Sequence, residues 1–306
     1  MINLRVVRRL VISLVLAGIL GAIAFLVLLD RAFDQIGEAG SLAGADSGVT
    51  SISWAPDGKH IVVSRGEDDS EALYRLDADG SDPRRLSSSD AAAEDPAVSP
   101  DGKQIAYVAI PGVSGVDLYV AGADGSDAKR LTHGDDFEGD PAWSPDGRRI
   151  AFVRGYDLDV QSDLYVARAD GTHVRRLTHG SDVEESPSWS PDGAWIAYEA
   201  FPNAYMVPAR DHGKRRLVTG ALKSPIWSPD GKRLAVVEDR LTIKIVGLAG
   251  RTVQRFAVTD DQLGPNDVQF APTDLAWSPD GRRLAYALDG SLYTLTLRTG
   301  ASRRLI

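Results

Sequence analysis

Cysteine is absent from all 306 residues, which excludes disulfide scaffolds, zinc ribbons, thiol catalysis and cysteine-ligated iron–sulfur clusters. Positive charge is in short supply: 34 lysines and arginines face 43 aspartates and glutamates, a net charge of −9. Sequence-independent nucleic-acid binding needs a basic surface that releases counterions from phosphates, so DNA and RNA are excluded as expected partners. Catalytic signatures are missing too. There is no Gly-x-Ser-x-Gly, no His-Glu-x-x-His and no glycine-rich phosphate loop, and no enzyme class is nominated. Long soluble helices have little room, because 30 glycines and 16 prolines favour short elements joined by tight turns.

The first feature present is an apolar run. Leu10 to Leu29 has Ser13 as its only clearly polar member, and a helix of that length spans roughly 30 Å of hydrocarbon. Arg5, Arg8 and Arg9 precede it, and Asp30, Asp34 and Glu38 follow with Arg31 in opposition. The positive-inside bias then predicts a cytoplasmic segment 1–9, a transmembrane signal anchor 10–29, a Gly/Ala/Ser-rich linker 30–48 and an extracytoplasmic remainder. The competing expectation is a cleaved signal peptide ending at Ala22-Ile23-Ala24, which the continuation through Phe25 to Leu29 disfavours. Beyond residue 30 the net charge is −11.

The second feature is repetition. Pro-Asp-Gly recurs at Asp57, Asp101, Asp146, Asp192, Asp230 and Asp280, spaced by 44, 45, 46, 38 and 50 residues. Proline fixes φ, aspartate bonds nearby backbone and glycine accepts positive φ, so each copy closes a hairpin between the first two strands of a repeat. Asp-Gly at Asp79, Asp124 and Asp170 closes another between the last two. The third repeat shows the whole unit: Pro141-Ala142-Trp143-Ser144, Ile150-Ala151-Phe152-Val153, Asp163-Leu164-Tyr165-Val166, and Arg175-Arg176-Leu177-Thr178. At 43 residues per repeat, residues 49–306 predict an all-β, six-bladed β-propeller preceded by the single transmembrane helix.

These residues resemble the WD40-like repeat of TolB-type β-propellers, with Ser-Pro-Asp-Gly, Ile-Ala-Tyr/Phe, Leu-Tyr and Ala-Asp-Gly motifs, over nearly everything after residue 48. The resemblance implies an envelope location and a protein-binding habit. It also implies that the separate α/β domain preceding the TolB propeller is missing, since only about seventeen residues lie between run and repeats. Trp54, Trp143, Trp189, Trp227 and Trp277 hold one place in the repeat, with Val98 substituting in the second. Such repetition points to packing between blades rather than to a site. His133 and His179 fall in equivalent turns, which repeat structure explains better than ligation. The basic pairs Arg84-Arg85, Lys129-Arg130, Arg175-Arg176, Arg215-Arg216 and Arg303-Arg304 are expected on outermost strands, guarding open sheet edges.

Strand direction separates the two faces of the disc. Loops of one face are acidic, including Asp157, Asp159, Asp163 and Glu238, whereas Lys59, Lys103, Arg148, Lys232 and Arg282 balance the turn aspartates on the other. Glu94, Asp95, Glu138, Asp140, Glu184, Glu185 and Asp274 precede the repeated tryptophan position by two to five residues and are expected to encircle the upper mouth of the channel. The leading expectation is therefore a membrane-anchored, extracytoplasmic interaction scaffold that takes a protein or peptide with a basic segment. A propeller hydrolase or lyase with a site assembled across blades is the alternative. A third reading places Ca²⁺ among converging carboxylates.

Overall fold

The computed structural model describes residues 48–306 except 68–69, 89–90, 111–114, 135, 156–160, 181, 201, 211–214, 220–222, 240–241, 259–271 and 273. The expected cytoplasmic segment, the span Leu10–Leu29 and the linker up to Ser47 lie outside the described residues, as do Asp157 and Asp159. Among the described residues no helix is long and apolar enough to cross a membrane.

Six four-stranded antiparallel sheets follow one another along the chain, each with its strands in sequence order from the innermost to the outermost. In blade 3 they are Phe137–Trp143, Arg149–Gly155, Ser162–Arg168 and Arg175–Arg176. The innermost strands of the six blades, Val49–Trp54, Ala93–Val98, Phe137–Trp143, Glu184–Trp189, Lys223–Trp227 and Leu275–Trp277, contact one another in cyclic order. The expected propeller is present.

The hairpin turns show why the repeat is written as it is. Glycine takes φ between +66° and +70° in all six Pro-Asp-Gly turns, a region costly for residues with a Cβ. In blades 2 to 6 the preceding serine donates its hydroxyl to Oδ1 of the turn aspartate at 2.5–2.7 Å. That serine also accepts the first amide of the next strand, for example Arg149 N–H at 2.9 Å. Ala55 replaces serine in blade 1, and there Asp57 meets His60 Nδ1 at 2.6 Å.

Second strands are covered on both sides by neighbouring blades, so they are apolar without alternation. Ile150, Ala151, Phe152 and Val153 are all buried. The aromatic positions of the second and third strands are register partners: Phe152 faces Tyr165, and their rings stack with centroids 5.8 Å apart. Tyr286 and Tyr293 repeat the arrangement at 5.1 Å.

The tryptophans wedge between blades. Nε1–H of Trp143, Trp189 and Trp277 donates to Ala97 O, Ala142 O and Ile226 O of the preceding blade at 2.9, 3.0 and 3.3 Å. Losing such a ring costs about 3–5 kcal/mol in a packed core.

Ring closure needs no exchanged strand. All four strands of blade 6 lie between Leu275 and Arg304, and they meet blade 1 through Val49, Ile52, Trp54, Ala285, Ala287 and Leu292. Val49 N–H donates to Gly290 O at 2.8 Å. A Cβ on Gly48 would fall 2.4 Å from Gly290 Cα, so the approach of the two chains here demands glycine.

Candidate functional site: the carboxylate girdle of the inner strands

The inner strands of blades 2 to 5 carry an irregularity at the same place. Asp95, Asp140, Ser186 and Ser224 have φ between +47° and +54°, and each precedes a proline. The ladder slips around them, between Glu94 and Ala97 in blade 2 and between Glu185 and Ser188 in blade 4. Such a bulge swings one amide out of its own sheet.

The freed amides point to the blade before. Asp140 N–H donates to Asp95 Oδ2 at 3.2 Å, and Ser186 N–H to Asp140 Oδ2 at 3.1 Å. Asp95 N–H reaches Ser51 Oγ at 3.2 Å, and across the seam Ile52 N–H reaches Asp274 Oδ2 at 2.7 Å. Ser224 N–H turns instead to Glu199 Oε2 at 3.0 Å, on the second strand of blade 4, where the girdle position holds Ser186 in place of an aspartate. A side chain from each of five blades, all but blade 5, thus ties neighbouring inner strands into a girdle, and the strained backbone is held by the acceptor it meets.

The girdle also collects charge. Burial pushes the Asp274 carboxyl up to about 7; the Ile52 and Leu275 amides oppose this, and the charges on Asp95 and Asp140 push it further up. Those three carboxyls therefore share one electrostatic neighbourhood. Glu94 and Glu185, both half-buried, stand next to girdle residues in sequence.

Glu138 and Glu184 do not join them. They are 6% and 2% exposed, and Asp95 is 5% exposed, so the expectation that all seven acids line an open mouth fails for these three; Asp95 belongs to the girdle through its bonds to the Asp140 amide and Ser51 rather than through exposure. Each glutamate is drawn into the blade by the Leu-Thr motif: Thr132 Oγ1–H donates to Glu138 Oε2 at 3.1 Å, and Thr178 makes the same bond to Glu184. Burial raises both carboxyls to about 7. Arg154 opposes this at Glu138, with Nη2 2.8 Å from Oε1. In blade 4 the position facing the glutamate is Ala200 rather than arginine, so among the described residues Glu184 is stabilised by the Thr178 hydroxyl and Leu164 N–H and, at longer range, by the Arg215 charge.

Two further corrections concern charges read as solvent-facing. Asp163, expected in an open acidic loop, is 4% exposed and pairs with Arg176 at 2.6 Å; Asp117 and Arg130 repeat this in blade 2 at 2.6 Å. The basic residues thus sit on the edge strands as expected, with Arg215 just before its strand, and in blades 2 and 3 one arginine of the pair reaches inward to an aspartate. The recurrence of Asp-Leu-Tyr-Val with Lys/Arg-Arg-Leu-Thr was the available signal for this pairing. Glu199 gave none, since it lies on a second strand and meets the girdle only through the fold.

Among the described residues no group of three histidine or acidic side chains could hold a metal ion. His133 and His179 are exposed in equivalent turns.

The TolB β-propeller domain family matches residues 40–157 and 135–254. No curated protein matches the chain. Among solved structures, one designated TolB from Agrobacterium tumefaciens is 23% identical with a TM-score of 0.63, over 78% of this chain and 89% of that one. TolB from Acinetobacter baumannii is 22% identical with a TM-score of 0.65, over 85% of this chain and 63% of that one. A puromycin-hydrolysing peptidase of Mycobacterium tuberculosis is 20% identical with a TM-score of 0.53, over 80% of this chain and 43% of that one. At these identities the structures speak for the fold alone.

Proposed function

The chain belongs to the TolB β-propeller family, and from that premise we propose that it is a membrane-anchored, extracytoplasmic scaffold binding a protein or peptide at the acidic end of its propeller. The single observation supporting this reading is the girdle: Asp95, Asp140 and Asp274 are brought to one neighbourhood, and their mutual repulsion helps to hold the Asp274 carboxyl near 7. A basic segment of a partner would relieve that repulsion, giving association that is fast and weakens with salt. Glu94 and Glu185 extend the surface outward. The turn end of the disc differs, since its aspartates already accept serine hydroxyls and backbone amides.

Anchoring through residues 10–29 rests on the arginine-flanked apolar run. The proposal is tested by proximity labelling on the intact anchored protein, comparing wild type with the Asp95→Asn/Asp140→Asn/Asp274→Asn variant. Amides keep an oxygen for the inter-blade bonds while removing the charge. A partner labelled by both proteins equally, or one lost on chelating divalent cations, counts against a charge-steered peptide; the second result favours Ca²⁺. Reporter fusions after Gly48 test the topology, and a cytoplasmic signal refutes it.

A further inference from the structure

At position 98 the second blade holds valine where the other five hold tryptophan. The junction between blades 1 and 2 accordingly contains a cleft of about 500 Å³, lined by His60, Val62, Arg75, Val98, Pro100 and Ile105 among others. That size is within the range of small-ligand clefts, about 300–1,000 Å³.

The blades have not moved apart to make it. A Cβ on Gly102 would lie 3.3 Å from Pro56 of the neighbouring turn, and the corresponding distances at the next four junctions are 3.4–4.0 Å. The space comes from the missing ring.

Elsewhere the same place is equipped to hold an indole. In three of the five the ring nitrogen bonds to the carbonyl just before the preceding blade's tryptophan position, as Trp143 does with Ala97 O and Trp189 with Ala142 O, whereas among the described residues Nε1 of Trp54 and Trp227 is buried without such a bond. A guanidinium three residues after the turn aspartate covers the face: Arg149 lies 4.5 Å from the centroid of Trp189, and Arg283 4.9 Å from Trp54. At the first junction the equivalents are Ser53 O and His60, with no indole at position 98 to receive them.

A second departure from the repeat lies in the same cleft. Arg75 is the register partner of Val62, a place taken by Val120, Val166, Met206 and Ile245 in blades 2 to 5. It is half-buried, and among the described residues no carboxylate pairs with it. A cleft where Val62, Val98 and Ile105 stand beside an unpaired guanidinium, with the turn aspartates Asp57 and Asp101 also in its lining, suits an aromatic residue whose neighbouring acid reaches Arg75.

We propose that the blade 1–blade 2 junction, at the turn end of the disc, receives a tryptophan side chain from a partner polypeptide, with a neighbouring carboxylate of that polypeptide on Arg75. This surface is opposite in position and in charge preference to the girdle, so it stands or falls separately.

The probe is acetyl-Glu-(5-fluoro-Trp)-Glu-amide, titrated with the full chain and followed by ¹⁹F NMR. Saturable binding is expected, weakened about tenfold by Arg75→Gln and abolished by the double variant Arg75→Val/Val98→Trp, which restores the pattern of the other blades. Circular dichroism checks that both variants fold. If the double variant misfolds, the Arg75→Gln comparison and a leucine-centred peptide decide. Unchanged affinity in Arg75→Gln, equal affinity for the leucine peptide, or no saturable binding by wild type would each overturn the proposal.

Discussion

Replacing Glu184 by glutamine should stabilise the propeller at pH 8 and do so much less at pH 5. The carboxyl is 2% exposed, accepts bonds from Thr178 and Leu164, and has no guanidinium within ion-pair distance among the described residues. Burial lifts it from an ordinary 4.5 to about 7. An acid raised in the folded state binds its proton more tightly there than in the unfolded chain. Its contribution is therefore greatest below about pH 4.5, declines as pH rises towards 7, and is lost above. At roughly 1.4 kcal/mol per pH unit, the interval corresponds to about 3 kcal/mol. For a domain of this size that is about 6–12 °C in Tm. Glutamine carries no charge and keeps an oxygen for both donors, so the variant lacks this decline. The assay is urea denaturation of wild type and Glu184→Gln at pH 5, 6, 7 and 8, taking the difference at each pH so that Glu138 and Asp274 cancel. A difference that does not grow between pH 5 and pH 8 would refute the assignment of an uncompensated buried acid.

Asp140→Ala should cost about 1–3 kcal/mol, because it strands the Ser186 amide at the bulge, whereas Asp140→Asn should cost less. By removing a neighbouring negative charge, Asp140→Asn should also lower the midpoint of Asp274, read by carboxyl ¹³C titration. Gly125→Ala should destabilise by at least about 1–3 kcal/mol in thermal melts: φ is +87°, and the new Cβ would stand 2.1 Å from Leu86 O. Removing Ser302–Ile306 deletes the bonds between Leu292 and Leu305 and between Leu292 and Ile306, together with two apolar side chains at the seam. Hydrogen exchange should then rise in blade 6 and in Val49–Trp54 of blade 1, since each blade is braced by its neighbours.

The architecture was legible because its determinants are local and repeated. Pro-Asp-Gly specifies a turn from three adjacent residues, and six copies count the blades. Tryptophan at one repeat position was correctly read as packing, and its absence at Val98 was visible from the outset. What could not be seen was where a given acid points. Glu138 and Asp140 are two residues apart and alike in charge, yet the bulge between strand and proline sends one into the blade and the other to the girdle. Strand alternation alone places both on one face, and the αL conformation that breaks it is a tertiary outcome. Asp163 was misread for a related reason: its partner Arg176 lies thirteen residues away on the next strand, and only the folded sheet puts them together.

Recognition by the girdle is tested most directly by the association rate of a partner captured by the anchored protein. Stopped-flow rates at 50 and 200 mM salt would be compared for wild type, Asp95→Asn/Asp140→Asn/Asp274→Asn and the turn-end variant Lys103→Gln/Arg148→Gln. The prediction is a slower and less salt-sensitive association for the girdle variant, with dissociation little changed and the turn-end variant close to wild type. Equal rates and equal salt dependence for wild type and the girdle variant would contradict it.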